Sequence, residues 1–395
     1  MLCAPSLRER AASRSSPAST GRPNVRRLPS VQVLFVTQYG PRAASSRTRV
    51  FNYLPFLRAE GVDCTVLTVL PDRVIAGSQV IASRQPVRKG LYYLGAAWRT
   101  LCCGVRVIRW AARFDVLFIQ KVIFPAPIRW WLRRSATPVI YDFDDAIFTT
   151  EIRTGHWLAR WKEARNVRGL PAMLSLSRLA VVENPYTGQF ARRFCPVLTI
   201  TGPIDTSPYD HTAAAAPVAR DKVVLGWIGS GSTVAYLDRI RRPLQSLAAR
   251  FPSLRLLVIG AEWSAVGVDV ECRPWDLERE AADLAGCDIG IMPIPDDPWT
   301  RGKGGFKLLQ YMAAGLPVVT DPVGINVDIV ADGHSGYLVD GDQGWSVALE
   351  QLIEDADLRQ RLGAVGRQRV EERYAQHVQQ GHLLVMLRQV AGGCS

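Results

Sequence analysis

The chain has 395 residues, 48% of them hydrophobic and 21% charged, with a formal net charge of +12. That length exceeds one ordinary core and the composition excludes a disordered chain, so two domains of similar size are expected. Eight scattered cysteines without a CxxC pair and five isolated histidines argue against a disulfide framework or a zinc cluster. No uncharged apolar run is long enough to span a membrane.

Residues 1–30 carry six arginines against Glu9, amid Ser, Ala and Pro, and read as a disordered basic tail or a transit-like segment outside the fold. From Val31 the chain alternates strand and helix. "VQVLFVTQY" (31–39) is a strand, "SRTRVFNYLPFLRAEGV" a helix ending at Gly61, and "DCTVLTVL" (63–70) the next strand. "DVLFIQ" (115–120), "PVIYDFD" (138–144), "RLAVVE" (178–183) and "VLTIT" (197–201) continue the series. Continuous rather than alternating apolar runs predict parallel sheets covered on both faces. Residues 205–221, rich in Pro, Ala and polar residues, read as a linker. The pattern then restarts with "VVLGWIG" (223–229), "LRLLVIG" (254–260), "VECRP" (270–274), "DIGIMPI" (288–294), "PVVTD" (317–321) and "GYLVD" (336–340). An amphipathic helical stretch from Asp357 closes the chain and is expected to pack back across the domains. Two doubly wound units of this kind would face one another across a cleft at the carboxyl ends of both sheets.

Taken together and in this order, "GWIGSGSTVAYL", "LLVIGA", "CDIGIMPI", "GKGGFKLLQYMAAGLPVV" and "DPVGINVDIVADGHSGYLV" resemble the retaining GT-B-fold glycosyltransferases of family 4 (group 1). "SSRTRVFNYLPFLRAEGV" and "YDFDDAI" extend the likeness into the N-terminal half. The resemblance implies an α/β GT-B fold. A basic tail (1–30) would precede an N-terminal Rossmann-like acceptor domain (31–204), a linker (205–221) and a C-terminal donor domain (222–375), with a helix (376–395) returning toward the N-terminal domain. It also implies a nucleotide-diphospho-sugar donor and a glycan or lipid-linked acceptor. No cofactor, no metal and no nucleic acid would be needed, since no nucleic-acid module accompanies the charge. A cytoplasmic setting is expected, peripheral on the inner face of the cell membrane.

"RGKGGFKLL" (301–309) starts a helix with Gly304 and Gly305 where a capping Ser or Asp would be usual, and crowds Arg301, Lys303 and Lys307 around it. Free N–H groups at such a terminus favour an anion, and glycines allow close approach. The resemblance makes this the diphosphate site, with Lys303, Lys307, Arg301 and the helix-end amides stabilising the leaving group in place of a metal. The family carries two glutamates across this loop and helix; here Gly302 and Gln310 stand in those places. Gln310 would still accept from the donor ribose through its carbonyl. Gly229, Ser230, Ser232 and Thr233 either contact phosphate or cap the next helix, and Gly324 and Asn326 sit on a loop expected to face the transferred sugar.

In "YDFDDAIF" (141–148), Asp144 or Asp145 would orient the sugar or the acceptor hydroxyl. Asp142-x-Asp144 also fits a metal-binding Asp-x-Asp of the GT-A type, or a dehalogenase-like phosphatase, although the hydroxyl residue that the latter expects is absent. Ser45, Ser46, Arg47 and Arg49, on the loop after the first strand, either bind an acceptor phosphate or close on the donor, or else Ser45 or Ser46 caps the following helix and the arginines lie exposed. A nucleotide-sugar 2-epimerase of the same fold and an inactive glycan-assembly partner remain as alternatives. Between Arg84 and Arg134 eleven cations face Asp115 alone. A helix over 91–113 aligns Arg99, Arg106 and Arg113, with Arg109 between, beside Leu91, Leu94, Trp98, Leu101, Val105 and Ile108. That is the make-up of an interfacial helix at an anionic membrane, or of a domain helix with solvated arginines.

Overall fold

In the computed structural model the described residues are 30–72, 86–149, 157–210 and 222–393. The expected tail therefore lies almost wholly outside them, as do residues 211–221 of the expected linker. Element labels below count the described elements.

The first sheet contains β1 (Val31–Tyr39), β2 (Val62–Leu70), β3 (Val116–Gln120), β4 (Val139–Phe143), β5 (Leu179–Val182) and β6 (Val197–Thr199), in the order β2-β1-β3-β4-β5-β6. The second contains β7 (Val223–Ile228), β8 (Leu254–Ile259), β9 (Asp269–Arg273), β10 (Ile289–Met292), β11 (Val318–Thr320) and β12 (Gly336–Leu338), in the order β12-β11-β10-β7-β8-β9. Every pairing is parallel. Two parallel sheets of this order are two Rossmann-like units, as expected of the GT-B fold. Strand order reverses between β1 and β3 and again between β7 and β10, and in such sheets ligands lie outside the carboxyl ends at the reversal.

At the second reversal the strands splay apart. β7 and β10 pair only at Leu225–Ile289 and Gly226–Gly290. Beyond that the strands part, and the Tyr311 hydroxyl bridges them, accepting from the Ile228 N–H (2.9 Å) and donating to the Ile291 carbonyl (3.2 Å). The Tyr311 side chain packs directly on Gly290, where a Cβ would come within 2.4 Å of Cγ. A glycine inside an apolar strand is thus needed for the helix carrying Tyr311 to approach.

The helix expected over 46–61 is broken. α1 (Ala44–Arg49) and α2 (Leu54–Ala59) flank a tight turn at Phe51–Tyr53, because Val50 leaves helical geometry (φ −134°) and Pro55 opens the second piece. α3 (Pro86–Trp110) covers the edge of the first sheet, followed by α4 (Ala126–Leu132), α5 (Trp157–Leu174) and α6 (Pro185–Ala191). α3 turns Cys103 and Val107 inward. Its Leu91 (65% exposed), Leu94 (69%) and Trp98 (67%) face outward with Leu101 and Val105.

The second unit carries α7 (Arg241–Arg250), α8 (Glu280–Ala285), α9 (Phe306–Ala313), α10 (Asn326–Ile329), α11 (Gly341–Glu354) and α12 (Ala356–Arg373). The closing helix α13 (Gln376–Gly392) leaves it and buries Leu383, Leu384, Met386 and Leu387 against Val33, Phe35, Val116 and Phe118 of the first unit. Gln376 Nε2 donates to the Asn52 carbonyl (2.7 Å) and Arg388 Nη2 to the Glu60 carbonyl (2.8 Å), so α13 straps the two halves together.

Candidate active site

The start of α9 lies in the cleft at the second reversal. Gly305 caps it in the left-handed region (φ 67°), and no side chain bonds to the cap. A Cβ at Gly305 would stand 2.3 Å from Ile329 Cδ1, so the turn accepts only glycine. Lys307 reaches from this turn to the end of β7. Its ammonium lies 4.2 Å from the Trp227 ring centroid and 3.4 Å from Thr233 Oγ1. A Cβ on Gly229 would meet it at 2.6 Å. Among the described residues no carboxylate pairs with it. Burial, with repulsion from Lys303 added, pulls its pKa down to about 7. A buried cation without a counter-charge is costly unless something anionic joins it.

Lys303 stands between the halves. Nζ is 3.4 Å from Asp145 Oδ1 and 4.9 Å from the Trp299 ring, while its carbonyl accepts from Asn184 Nδ2 (3.0 Å). Asp144 and Asp145 both meet Lys121 Nζ, at 2.5 and 2.8 Å. Lys121 adopts a left-handed backbone (φ 62°), rare for a side chain of its kind. Burial alone would raise the Asp145 pKa, but Lys121 and then Lys303 outweigh it and hold the group well below the usual carboxylate range. Lys121 was not evident from the sequence; its positive φ and its two acids appear only in the fold.

Several expected contacts are redirected. Arg49 does not open to an acceptor: it is buried, its Nε lies 3.0 Å and its Nη2 2.5 Å from Asp142 Oδ2, and Nη1 donates to the Ile200 carbonyl (2.7 Å). Burial opposes its charge, but Asp142 wins and keeps the guanidinium protonated. Asp142 is thereby committed to Arg49, while Asp144 meets Lys121. Ser46 is also buried; its hydroxyl donates to Gln120 Oε1 (2.9 Å) and accepts from the Tyr39 N–H, while Ser45 Oγ accepts from Gln120 Nε2 (3.0 Å). Of that group only Arg47 reaches across the cleft, 5.9 Å from the Trp275 ring.

Asn326 is buried and its amide donates to Thr320 Oγ1 (2.9 Å) and the Asp321 carbonyl (3.2 Å), so its side chain holds the loop in place. Gly324 (φ 58°) backs directly on the Arg301 carbonyl, 2.6 Å from a Cβ. The Arg301 guanidinium is exposed and spent on Asp296 (2.6 and 2.9 Å), away from the cradle. Ser230 and Ser232 are exposed and bond one another (2.8 Å) beside Thr233. Gln310 is buried and hydrogen-bonds the Tyr209 hydroxyl, which donates to Glu280 Oε1 (2.9 Å); Glu280 Oε2 in turn accepts from Trp275 Nε1 (2.6 Å). At position 302 a side chain has no room, since a Cβ there would stand 2.3 Å from Ala146 Cβ.

Residues 222–355 match the family model described as Glycosyl transferases group 1. A D-inositol 3-phosphate glycosyltransferase of Stackebrandtia nassauensis is 32% identical over 184 residues, spanning 40% of each chain. The phosphatidyl-myo-inositol mannosyltransferase of Mycolicibacterium smegmatis is 25% identical over 88% of this chain and 90% of its own. Among solved structures, a sucrose-phosphate synthase from Thermosynechococcus elongatus superposes with a TM-score of 0.67 at 13% identity, covering 92% of this chain and all of that one. The Anabaena protein HepE in complex with UDP-glucose superposes at 0.61 and 15% identity, covering 91% and 99%.

Proposed function

We propose, from the premise that this chain belongs to the group 1 glycosyl transferases and takes the GT-B fold, that it transfers a sugar, with retention, from a nucleotide-diphospho-sugar to a glycan or lipid-linked acceptor. The observation that carries this reading is Lys307, a buried amine with no carboxylate partner among the described residues, set beside the uncapped glycine turn of α9. A lysine amine and free N–H groups at the start of one helix suit a leaving diphosphate as charge develops on it. Lys303 adds a second charge, shared with Asp145. Stabilisation of this kind needs no divalent ion. HepE binds UDP-glucose and the Mycolicibacterium relative is named for a phosphatidyl-inositol acceptor, which supports a nucleotide-sugar donor and a lipid-linked acceptor here.

Release of nucleoside diphosphate from a panel of nucleotide-sugars, with and without lipid-linked acceptors, tests the reading. Acceptor-dependent release supports transfer. A sugar isomerised with no acceptor present makes it an epimerase, and no turnover of any donor makes it an assembly partner. Gln310 gives a narrower test. If its carbonyl serves the ribose, Gln310→Ala weakens a nucleoside diphosphate and a nucleotide-sugar alike, raising KM more than it lowers kcat. Unchanged affinity for the nucleotide would remove Gln310 from the site.

The acceptor side carries a membrane reading as well. No described helix is long and apolar enough to cross a membrane. On α3, however, Leu91, Leu94, Trp98, Leu101 and Val105 recur at helical spacing on one exposed stripe. Arg99, Arg106 and Arg109 stand exposed beside it, and α4 adds exposed Trp130, stacked at 4.0 Å by Arg134. Apolar side chains flanked by arginines fit the headgroup boundary of an anionic bilayer. The side chains of Arg88 and Lys89, and all of Arg84, lie outside the described residues. Each cation is worth about 1 kcal/mol at most and is screened by salt. Vesicle sedimentation should therefore show binding to anionic but not neutral lipid, lost at high salt and in a variant with Arg99, Arg106 and Arg113 changed to Glu. Equal binding to both lipids, or none to either, contradicts the reading.

A further inference from the structure

Glu183, at the carboxyl end of β5, was read in the sequence only as the last residue of a strand. It is 8% exposed, and no described residue hydrogen-bonds its carboxyl oxygens. The group points from the N-terminal unit at the glycine turn of the facing unit. A Cβ built on Gly304 would lie 2.0 Å from its carboxyl carbon and 2.3 Å from either oxygen. The charged groups around it are Arg49, Asp142, Asp144 and Asp145 on its own side, with Lys121 behind the two last, and Lys303 and Lys307 on the side of the turn. Burial is the largest influence on it. Arg49 opposes that and the three aspartates reinforce it, leaving the pKa raised to about 8. At neutral pH the group therefore keeps its proton. That matters at an anion site: an ionised carboxylate on Gly304 would repel a diphosphate, whereas the neutral acid is a donor with no committed acceptor.

We propose that Glu183 is the hydrogen-bond donor of the cradle, giving its carboxyl proton to a diphosphate oxygen of the donor nucleotide, so that the nucleotide binds only the protonated form. The proposal rests on the reading of the α9 turn as the diphosphate site. It assigns a carboxyl group from the opposite unit to a turn whose own residue 302 is a glycine closed off by Ala146. Binding then pulls a proton onto Glu183 wherever the free protein has lost it. Lys307, pulled down to about 7, takes up a proton for the same reason. The two sources separate because Lys307→Arg carries a fixed charge while Glu183→Gln keeps a donor without a titration.

Calorimetric titration of UDP and GDP near pH 8.5, in two buffers of different ionisation enthalpy, counts the protons. In a Lys307→Arg background the protein should still take up roughly three quarters of a proton, and adding Glu183→Gln should remove it. Affinity in that background should fall toward tenfold per pH unit above about pH 8, and the added Glu183→Gln should flatten the profile. Proton uptake unchanged by Glu183→Gln overturns the proposal. So does a flat pH profile in Lys307→Arg alone, which decides the matter should the double variant fail to fold. If neither nucleotide binds the unaltered protein at any pH, the diphosphate reading itself falls and the proposal with it.

Discussion

Replacing Lys307 with alanine is expected to lower kcat/KM by at least about thirtyfold, on the order of 2 kcal/mol of lost transition-state stabilisation, while a chelator leaves the unaltered enzyme at full rate. The reason is positional. The ammonium is held between Trp227, Thr233 and the Gly229 turn with no described acid to neutralise it. An anion arriving there therefore gains a charge that nothing else has claimed. Lys303 is less free, since Asp145 already shares it, and Arg301 is committed to Asp296. Their alanine variants should lose less, in that order. A chelator that abolishes turnover while Lys307→Ala preserves it would move the chemistry to a metal centre and defeat the account.

The other large effect concerns stability. Asp142→Ala should destabilise the fold by about 3–5 kcal/mol, because it strands the Arg49 guanidinium in the core beside the Ile200 carbonyl. Arg49→Ala should cost a similar amount by stranding the carboxylate. Replacing both, as in Arg49→Met with Asp142→Leu, should recover much of the loss, since buried ion pairs exchange for apolar pairs at little net cost. Urea unfolding read as a midpoint shift at constant slope measures this. Were Arg49 an acceptor ligand instead, Arg49→Ala would raise the acceptor KM and leave the urea midpoint within about 1 kcal/mol of its starting stability.

Much of the architecture was legible because parallel strands buried on both faces write themselves as unbroken apolar runs. β1 to β12 fall within two residues of the expected segments for that reason, and the glycine turn before α9 stood out because glycine is a poor way to begin a helix. What stayed hidden depended on partners far away in sequence. Arg49 looked like an exposed loop cation because Asp142 lies 93 residues on, and Lys303 meets Asp145 across 158. Glu183 could be told from an ordinary strand end only by seeing Gly304 of the other unit against it. The inward turn of the Asn326 amide to Thr320 is equally invisible in the sequence. The helix over 46–61 was overrun because apolar periodicity continues through Val50 and Pro55, where the backbone turns. In α3 the apolar pattern was evident, yet nothing in it said that Leu91, Leu94 and Trp98 face outward.

The central claim is that the α9 turn and Lys307 hold the diphosphate of a nucleotide. Its most direct measurement is calorimetric binding of UDP, GDP and ADP, against the corresponding nucleosides, in chelator, to the unaltered protein and to Lys307→Ala. The account predicts that at least one diphosphate binds with its nucleoside at least about a hundredfold weaker, and that Lys307→Ala removes about thirtyfold of that diphosphate affinity. A diphosphate bound no more tightly than its nucleoside, or as tightly by Lys307→Ala as by the unaltered protein, would contradict it.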